Sequence, residues 1–295
     1  PPDICPACGV GAENFVREGI EDEFINDSNE RFVIIGGGIA ALSAAQALHK
    51  RNRTAKITML SEEGSRPYYR PALSDLLSED LPENRLYVFD QGWYEENQID
   101  LRTGSRVVKI DTAGKKLEIE SGDTIEYDKL IIATGARSNI PPFKGTDKEG
   151  VYSMRSLDDA LKLKAAMKTA KKAVVIGGGV LGLEAVWEMI GSGMAVAVVE
   201  FNQRLMPRQL DEAASLRLQE LMVDKGVQLC LGVATDEILG DGQVTGVKLS
   251  DGTVLEADLV LLSTGVRPNV ELAQEAGIEV AQGIVVDDNM RTSVS

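Results

Sequence analysis

Two copies of one pattern, a strand followed by three glycines and a helix, constrain this chain more than any other feature of its sequence. "RFVIIGGGIAALSAAQAL" occupies residues 31–48, and "KAVVIGGGVLGLEAVWEMI" occupies residues 172–190. In each copy β-branched residues precede the glycines, and apolar residues at helical spacing follow them. The first glycines of the two copies, Gly36 and Gly177, are 141 positions apart. A repeat of this size predicts two similar α/β units in succession.

A second pair of segments supports the repeat. "YDKLIIATGARSNIPP" surrounds Thr134, and "ADLVLLSTGVRPN" surrounds Thr264, 130 positions later. A chain of 295 residues is long enough for about two domains. We therefore predict the α/β class, with two Rossmann-like dinucleotide-binding domains, each of three layers with a parallel sheet and a β-meander. The last residues, "MRTSVS", break off in a strand-to-loop pattern, so we expect the C-terminal part of the fold to be truncated.

The glycines of the first copy have the spacing of a phosphate-binding turn. In Gly36-x-Gly38-x-x-Ala41, the first glycine permits the tight turn, the second lets backbone N–H groups approach a pyrophosphate, and the small alanine lets the helix pack on the strand. The anion then lies at the positive end of the helix. The next strand, "KITMLSEE", is predicted to end at Glu62, whose carboxylate can accept hydrogen bonds from ribose hydroxyls. Glu63 is the alternative.

The second copy is a complete fingerprint, Gly177-x-Gly179-x-x-Gly182. The strand that follows it, "MAVAVVE", ends in Glu200, 23 positions after the first glycine. A carboxylate at that point accepts a hydrogen bond from the adenosine 2'-hydroxyl and repels a 2'-phosphate, which favours NADH over NADPH. Arg204, four positions later, keeps the NADPH interpretation open. Two fingerprints, each between a strand and a helix, indicate dinucleotide binding more strongly than one.

Composition excludes several other functions. The net charge of -15 argues against nucleic acid and anionic membrane surfaces as partners, because both demand clustered Lys and Arg. The most apolar stretch, residues 32–48, contains three consecutive glycines between charged flanks, and no cationic leader opens the chain, so no membrane segment is predicted. Three cysteines form no disulfide framework, and we predict a cytoplasmic protein. The single histidine, His49, closes a helix, which excludes a histidine-based triad.

The order of these motifs resembles the FAD- and NAD-dependent pyridine nucleotide-disulfide oxidoreductase superfamily over residues 31–295. The resemblance implies that the first unit binds FAD and the second binds the nicotinamide cofactor. It also implies that the two Thr-Gly loops mark where the chain crosses between the domains. Glu184 corresponds to a glutamate of the family beside the nicotinamide and is the candidate catalytic residue. The loop residues carried over as cofactor-binding are Ala133, Thr134, Gly135, Thr264 and Gly265.

The positions of the cysteines narrow the choice of branch within that superfamily. Disulfide reductases and cysteine-dependent NADH oxidases carry a redox cysteine near the flavin, whereas this chain has no cysteine between Cys8 and Cys230. Direct disulfide chemistry in the flavin domain is therefore excluded. Cys230 lies in the apolar strand pattern "VQLCLGV" and is predicted to be a core residue.

The segment "RPYYRPALSDLL", residues 66–77, resembles rubredoxin and ferredoxin reductases. The resemblance implies that Arg70 lies near the FAD phosphates and Ser74 near the flavin. Many ferredoxin reductases follow that serine with a lysine, whereas this chain has Asp75, which moves the resemblance towards rubredoxin reductases. The alternative is that Arg70 and Asp75 form only a surface ion pair.

The opening segment "PPDICPACGVGAENF" contains Cys5 and Cys8 in a C-x-x-C turn. Such a turn supplies two thiolates, half of the four ligands of a tetrahedral iron or zinc site. It resembles the second knuckle of a rubredoxin-like domain, which implies that the partner cysteines lie upstream and that iron is bound only in the intact parent protein. The alternative is a redox dithiol, although no strand pattern precedes the cysteines and no helix pattern follows them.

The sequence thus predicts a flavoprotein oxidoreductase that passes electrons from NADH through FAD to rubredoxin or a similar small iron carrier. The sequence is also compatible with a homo-oligomer of the intact protein. The alternatives are an NADH oxidase or peroxidase, the electron-input module of a larger reductase of the nitrite reductase large-subunit type, and a non-enzymatic nucleotide-sensing module. The predicted segments are a partial rubredoxin-like knuckle (1–18), a linker (19–30), an FAD-binding domain (31–145), an inserted NAD-binding domain (146–265) and an incomplete return to the FAD-binding domain (266–295).

Overall fold

The computed structural model describes residues 25–294. The predicted metal knuckle with Cys5 and Cys8 lies outside the described residues. The described part of the chain forms seventeen strands, seven α-helices and two short 3-10 helices, Arg70–Leu73 and Asp75–Leu77. The strands are β1 (Arg31–Ile35), β2 (Lys56–Leu60), β3 (Ile99–Arg102), β4 (Val107–Asp111), β5 (Lys116–Ile119), β6 (Thr124–Glu126), β7 (Lys129–Ile132), β8 (Ala136–Ser138), β9 (Val151–Ser153), β10 (Lys172–Ile176), β11 (Ala195–Glu200), β12 (Gln228–Leu231), β13 (Thr235–Leu239), β14 (Gly246–Leu249), β15 (Val254–Glu256), β16 (Leu259–Leu262) and β17 (Val266–Pro268). The α-helices are α1 (Ile39–Arg51), α2 (Glu83–Leu86), α3 (Gln91–Glu96), α4 (Leu157–Met167), α5 (Val180–Gly191), α6 (Glu212–Asp224) and α7 (Glu271–Glu275).

Two parallel sheets repeat the same strand order. The first has the order β3-β2-β1-β7, and the second has the order β12-β11-β10-β16 with β9 added at its edge. The strands that precede the glycine triplets, β1 and β10, lie inside their sheets. Each unit also has an antiparallel meander, β4-β5-β6 in the first and β13-β14-β15 in the second. The predicted fold class, two Rossmann-like units with a parallel sheet and a β-meander, is confirmed.

Alternating side chains on the central strands build the three layers. Successive side chains of a strand point to opposite faces of its sheet. On β1, Val33 and Ile35 pack with the meander, whereas Ile34 packs with α1 and α3. On β10, Val174 packs with the second meander and Val175 with α4 and α5. Because both faces are covered, the central strands consist of continuous apolar residues.

A segment between β2 and α3, residues 66–88, leaves the first unit and packs on the second. It contains both 3-10 helices and α2. Its buried side chains belong to the same core cluster as those of α4 and α5, so this segment is part of the hydrophobic core of the second unit. These side chains are Tyr68, Leu73, Leu76, Leu77 and Leu86.

Two short strands link the units where the chain crosses between them. The chain leaves the first unit through β8 and returns through β17, and the two strands pair antiparallel with Arg137 opposite Arg267. The domain boundaries placed at residues 145 and 265 stay predictions.

Candidate nucleotide-binding sites

The glycine turn of the second unit is closed on one side and open on the other. Gly177 has φ +115°, and a Cβ there would lie 2.2 Å from the carbonyl oxygen of Ser263, so only glycine fits. A Cβ at Gly182 would lie 2.3 Å from the Gly177 carbonyl oxygen, which shows how closely α5 packs on the turn. At Gly179, by contrast, no heavy atom lies within 4 Å of the Cβ position. The backbone at this glycine is therefore open to a ligand.

The turn forms one wall of a cavity of about 590 Å³. Gly179 and Val180 at the start of α5, Glu200 at the end of β11 and Thr264 of the Thr-Gly loop all line it. The first turn of α5 contains no acidic residue, and the Glu200 carboxylate lies just before the helix, where it accepts a hydrogen bond from the Gly178 backbone N–H. A cavity of this volume beside a helix N-terminus suits a ligand that carries phosphate.

Glu200 ends β11, as the sequence predicts, and is only 8% exposed. One carboxylate oxygen accepts a hydrogen bond from the Gly178 backbone N–H at 2.7 Å. The other accepts from the backbone N–H of Asn202 at 2.8 Å and from its side-chain amide at 2.6 Å. Arg204 donates instead to carbonyl oxygens of its own loop, those of Leu210 and residue 207. The buried Glu200 carboxylate thus lines the cavity. Arg204, on which the NADPH interpretation rests, is hydrogen-bonded within its own loop.

The first unit has an equivalent glycine turn, and we call each of the two turns a glycine cradle. Gly36 has φ +135°, and a Cβ there would lie 2.2 Å from the carbonyl oxygen of Ala133. At Gly38 no heavy atom lies within 4 Å of the Cβ position. Ala41 is fully buried, and α1 begins at Ile39 with no acidic residue in its first turn. The same combination of a glycine with positive φ, an open glycine and a helix whose first turn lacks an acidic residue therefore occurs twice.

The strand end of the first unit differs from the prediction. β2 ends at Leu60 and not at Glu62, because both neighbouring strands stop pairing with it after that residue. The register of the central strands places Ser61 at the position equivalent to Glu200. Glu62 follows it as an exposed side chain, 3.6 Å from Arg106. Glu62 thus lies two positions beyond the end of β2, and its exposed carboxylate pairs with Arg106.

Arg70 belongs to a partly buried hydrogen-bonded cluster. Its guanidinium donates to the carboxylate of Glu63, to the hydroxyl of Tyr68 at 3.0 Å and to the backbone oxygen of Arg155 at 2.6 Å. Burial, and then the hydrogen bond to Glu63, raise the pKa of the Tyr68 hydroxyl, so it stays protonated. Asp75 pairs with a different arginine at 3.3 Å. The alternative of an Arg70–Asp75 surface pair is therefore wrong.

Arg155 is a candidate functional residue that the sequence analysis missed. Its Nε donates to the carbonyl oxygen of Ala136 at 3.0 Å, directly after the first Thr-Gly loop. Burial and the positive charge of Arg70 lower the pKa of this guanidinium. Within residues 25–294 no carboxylate lies within salt-bridge distance of it. A partly buried cation beside Arg70 can hold an anionic group. No motif or spacing in the sequence predicts this role for Arg155.

Ser74 and Glu184 meet across the two units. The Ser74 hydroxyl donates to the Glu184 carboxylate at 3.0 Å, although 110 positions separate them. Ser74 is 5% exposed and lies between the two 3-10 helices, whereas Glu184 lies on an exposed part of α5. The structure therefore joins the residue expected near the flavin to the residue expected near the nicotinamide.

The two Thr-Gly loops are tied to the crossing strands. The Thr134 hydroxyl donates to the backbone oxygen of Asn269 at 2.8 Å, and the Thr264 hydroxyl donates to the backbone oxygen of Asn139 at 2.7 Å. The glycine after each threonine accepts a backbone N–H from the same asparagine. Both loops are thereby fixed beside the glycine turns that they contact.

These groups fit two anionic dinucleotides. In the first unit, the open backbone at Gly38 and the start of α1 suit the pyrophosphate of FAD, and Arg155 offers a cation that no carboxylate neutralises within residues 25–294. In the second unit, the open backbone at Gly179 and the start of α5 suit a pyrophosphate, and the Glu200 carboxylate suits ribose hydroxyls. The donors and acceptors present match both cofactors that the sequence predicts.

Known proteins share this sequence and geometry. Residues 30–295 match the family described as pyridine nucleotide-disulphide oxidoreductase. The chain is 40% identical over 266 residues to the nitrite reductase (NAD(P)H) of Bacillus subtilis (strain 168), covering 90% of this chain and 33% of that protein. It is 35% identical over 263 residues to a rubredoxin-NAD(+) reductase of Pseudomonas putida, covering 88% of this chain and 68% of that protein. The ferredoxin reductase for the CYP199A2 system from Rhodopseudomonas palustris has a TM-score of 0.85 at 36% identity, over 90% of this chain and 66% of that one.

The chain spans about a third of the length of the nitrite reductase and about two thirds of the length of the rubredoxin reductase. In the part of the chain that the structure describes, no helix combines the length and the apolar character that crossing a membrane requires.

Proposed function

Because the chain belongs to the pyridine nucleotide-disulphide oxidoreductase family, whose members are NAD(P)H-dependent flavoprotein oxidoreductases, we propose that it accepts electrons from NADH on FAD and delivers them singly to a small iron carrier of the rubredoxin type. The observation that carries this proposal is the pair of glycine cradles in one folded body. Each has an open glycine and a helix whose first turn lacks an acidic residue, and one opens on a cavity of about 590 Å³.

The first unit holds FAD in this proposal. When bound, FAD accepts a hydride and releases electrons one at a time, a chemistry that no side chain supplies. The protein contributes a backbone cradle for the pyrophosphate, cations beside it and the Thr-Gly loop that supports the turn. The FAD-binding residues that we propose are Gly36, Gly38, Ala41, Glu62, Arg70, Ser74, Ala133, Thr134 and Gly135, with Arg155 added from its position in the structure.

The second unit holds NADH through its fingerprint, Glu200 and the second Thr-Gly loop. Glu200 accepts from the adenosine ribose, and Glu184 orients the nicotinamide while Ser74 holds its carboxylate. No side chain acts as a nucleophile. Among the described residues the one cysteine is Cys230 on β12, and burial raises the pKa of its thiol, which disfavours the reactive thiolate. The NADH-binding residues that we propose are Gly177, Gly179, Gly182, Glu200, Thr264 and Gly265.

Three observations support a one-electron acceptor. The sequence has no cysteine between Cys8 and Cys230 that could accept electrons as a disulfide in the flavin domain. The position after Ser74 is Asp75, as expected of the rubredoxin branch, and a rubredoxin-NAD(+) reductase is among the relatives. Cys5 and Cys8 form a C-x-x-C turn, which fits two of the four thiolate ligands of an iron site. Tethered to the same chain, such a centre has a raised effective concentration at the flavin.

A second candidate is the electron-input part of a longer nitrite reductase. The observation that favours it is the 40% identity to the B. subtilis enzyme, of which this chain spans about a third. The chemistry proposed for the two nucleotide sites is the same in both cases, and only the acceptor differs.

The acceptor proposal is tested by reconstituting the chain with FAD and following NADH oxidation with three acceptors in turn. We expect oxidised rubredoxin to be reduced faster than oxygen, with ferricyanide as the control for any one-electron acceptor. Faster reaction with oxygen supports an NADH oxidase instead, and NADH-dependent reduction of ferricyanide without reduction of rubredoxin favours the nitrite reductase candidate.

A further inference from the structure

The two Thr-Gly loops share a pattern that extends beyond the Thr-Gly dipeptide. Thr134-Gly-x-Arg-x-Asn139 and Thr264-Gly-x-Arg-x-Asn269 have the same residues at the same spacing. Thr and Asn are separated by five positions in both, and β8 or β17 lies between them. Each threonine therefore lies two positions before a crossing strand, and each asparagine directly follows one.

At each end of this two-stranded link, a threonine and an asparagine exchange a reciprocal pair of hydrogen bonds, which we call a clip. In the first clip, the Thr134 hydroxyl donates to the Asn269 carbonyl at 2.8 Å, and the Asn269 side-chain amide donates to the Thr134 carbonyl at 2.9 Å. In the second clip, the Thr264 hydroxyl donates to the Asn139 carbonyl at 2.7 Å, and the Asn139 amide approaches the Thr264 carbonyl at 3.3 Å. The same reciprocal bond thus joins the outgoing and the returning strand twice.

Each clip also adjoins a fingerprint glycine. Thr134 follows Ala133, whose carbonyl oxygen closes the space beside Gly36. The equivalent contact in the second unit is that of the Ser263 carbonyl oxygen with Gly177. A displacement of either loop therefore moves the wall of the corresponding glycine turn.

The two clips differ in strength. The Asn269 side-chain oxygen accepts from Arg137 at 3.0 Å, and Arg137 is itself paired with Glu271 at 2.6 Å. The Asn139 side-chain oxygen is buried and has no protein partner within residues 25–294, and its amide bonds are longer. The second clip is therefore the weaker one, because a buried acceptor without a partner costs free energy.

We propose that Asn139 and Asn269 are positioning residues that fix the two nucleotide-binding loops relative to each other and so set the approach of the two cofactors. Asn269 holds the loop of the first unit, and Asn139 holds the loop of the second. The consequence for hydride transfer rests on the proposed function, whereas the consequence for the loops does not depend on any bound nucleotide.

Hydrogen exchange of the nucleotide-free chain tests the positioning of the loops. Asn269→Ala should speed exchange of the amides around Thr134 about five- to tenfold, the effect of one lost hydrogen bond on local opening, and leave those around Thr264 unchanged. Asn139→Ala should do the reverse. In the unmodified chain the loop at Thr264 should exchange faster than the loop at Thr134. Arg267→Ala, on the same ladder but outside both clips, is the control and should change neither loop. Should an alanine variant fail to fold, Asn139→Ser and Asn269→Ser serve in its place.

Single-turnover reduction of bound flavin by NADH provides the second readout. At saturating NADH we expect Asn139→Ala to lower the limiting rate about tenfold, because small displacements of reacting groups have effects of this size. Equal exchange at both loops in both variants, or rates of exchange indistinguishable from Arg267→Ala, would overturn the inference whether or not the chain reduces flavin. Altered exchange with an unchanged reduction rate would overturn the link to hydride transfer.

Discussion

Replacing Glu200 with glutamine removes one charge from the cavity of the second unit with little change of shape. The carboxylate is 8% exposed, and its two oxygens accept hydrogen bonds from Gly178 and Asn202. Glutamine keeps one acceptor oxygen and turns the other position into a donor. We expect Glu200→Gln to fold, to lose some stability, and to discriminate less against a nucleotide that carries a 2'-phosphate.

The magnitudes follow from this environment. At least one of the N–H groups around Glu200 loses its acceptor, which costs about 1–3 kcal/mol of unfolding free energy. Two unit charges about 4 Å apart repel by about 4 kcal/mol at an effective dielectric of about 20. Water and salt enter an open cavity and screen about half of this repulsion. About 2 kcal/mol remains, which corresponds to about a thirtyfold change in relative affinity.

Calorimetric titration with NAD+ and with NADP+ measures the two dissociation constants separately. The unmodified chain should favour NAD+, and in Glu200→Gln the ratio of the two constants should fall about thirtyfold. Glu212→Gln removes the same charge from an exposed position at the start of α6 and is the matched control. Equal affinities in the unmodified chain, or an unchanged ratio in Glu200→Gln, would refute the assignment of Glu200 as the selecting residue.

Three further outcomes are expected. Gly36→Ala should lower the unfolding free energy by about 3 kcal/mol, because φ is positive and the Cβ meets rigid backbone; Gly38→Ala should cost at most about 1 kcal/mol but weaken FAD binding, since its Cβ points into open space. Hydrogen bonds from Arg31 hold the pKa of Asp128 well below its usual range, so this carboxylate adds stability above about pH 4 that is lost as the pH falls. At pH 7 the melting temperature of Asp128→Asn should therefore be lower than that of the unmodified chain, and the difference should narrow between about pH 4 and pH 2. A difference that stays constant over this pH range contradicts the assignment. Arg155→Gln should release FAD at least about tenfold faster in a dilution assay, and an unchanged release rate contradicts its role beside the cofactor.

The second unit is the part of the site that the sequence predicts best. Its fingerprint, its helix start near Gly179 and its strand end at Glu200 all follow from short local patterns, and the structure places them as expected. The strand end of the first unit does not follow in the same way. "MLSEE" is compatible with a strand through Glu62, but β2 stops at Leu60 where its neighbours on both sides stop. That limit is set by the sheet and not by the segment itself.

Contacts between distant segments are the features that the sequence does not reveal. The sequence offers Asp75 and Glu63 as nearby acids for Arg70, and it does not reveal that Arg70 also donates to the backbone oxygen of Arg155, 85 positions away. Asn139 and Asn269 repeat at the same spacing as the threonines, but their partners are 125 and 135 positions away. No local preference favours one such partner over another, because the choice depends on how the two units are assembled.

The central claim is that this chain joins an NADH site to an FAD site so that electrons pass from one to the other. Anaerobic titration of the FAD-reconstituted chain with NADH, followed at the visible absorbance of the flavin, tests it most directly. We predict that about one equivalent of NADH bleaches one flavin, since each hydride carries two electrons, and that NADPH requires a large excess. Flavin that stays oxidised while excess NADH is bound would contradict the claim and identify a nucleotide-binding module without electron transfer.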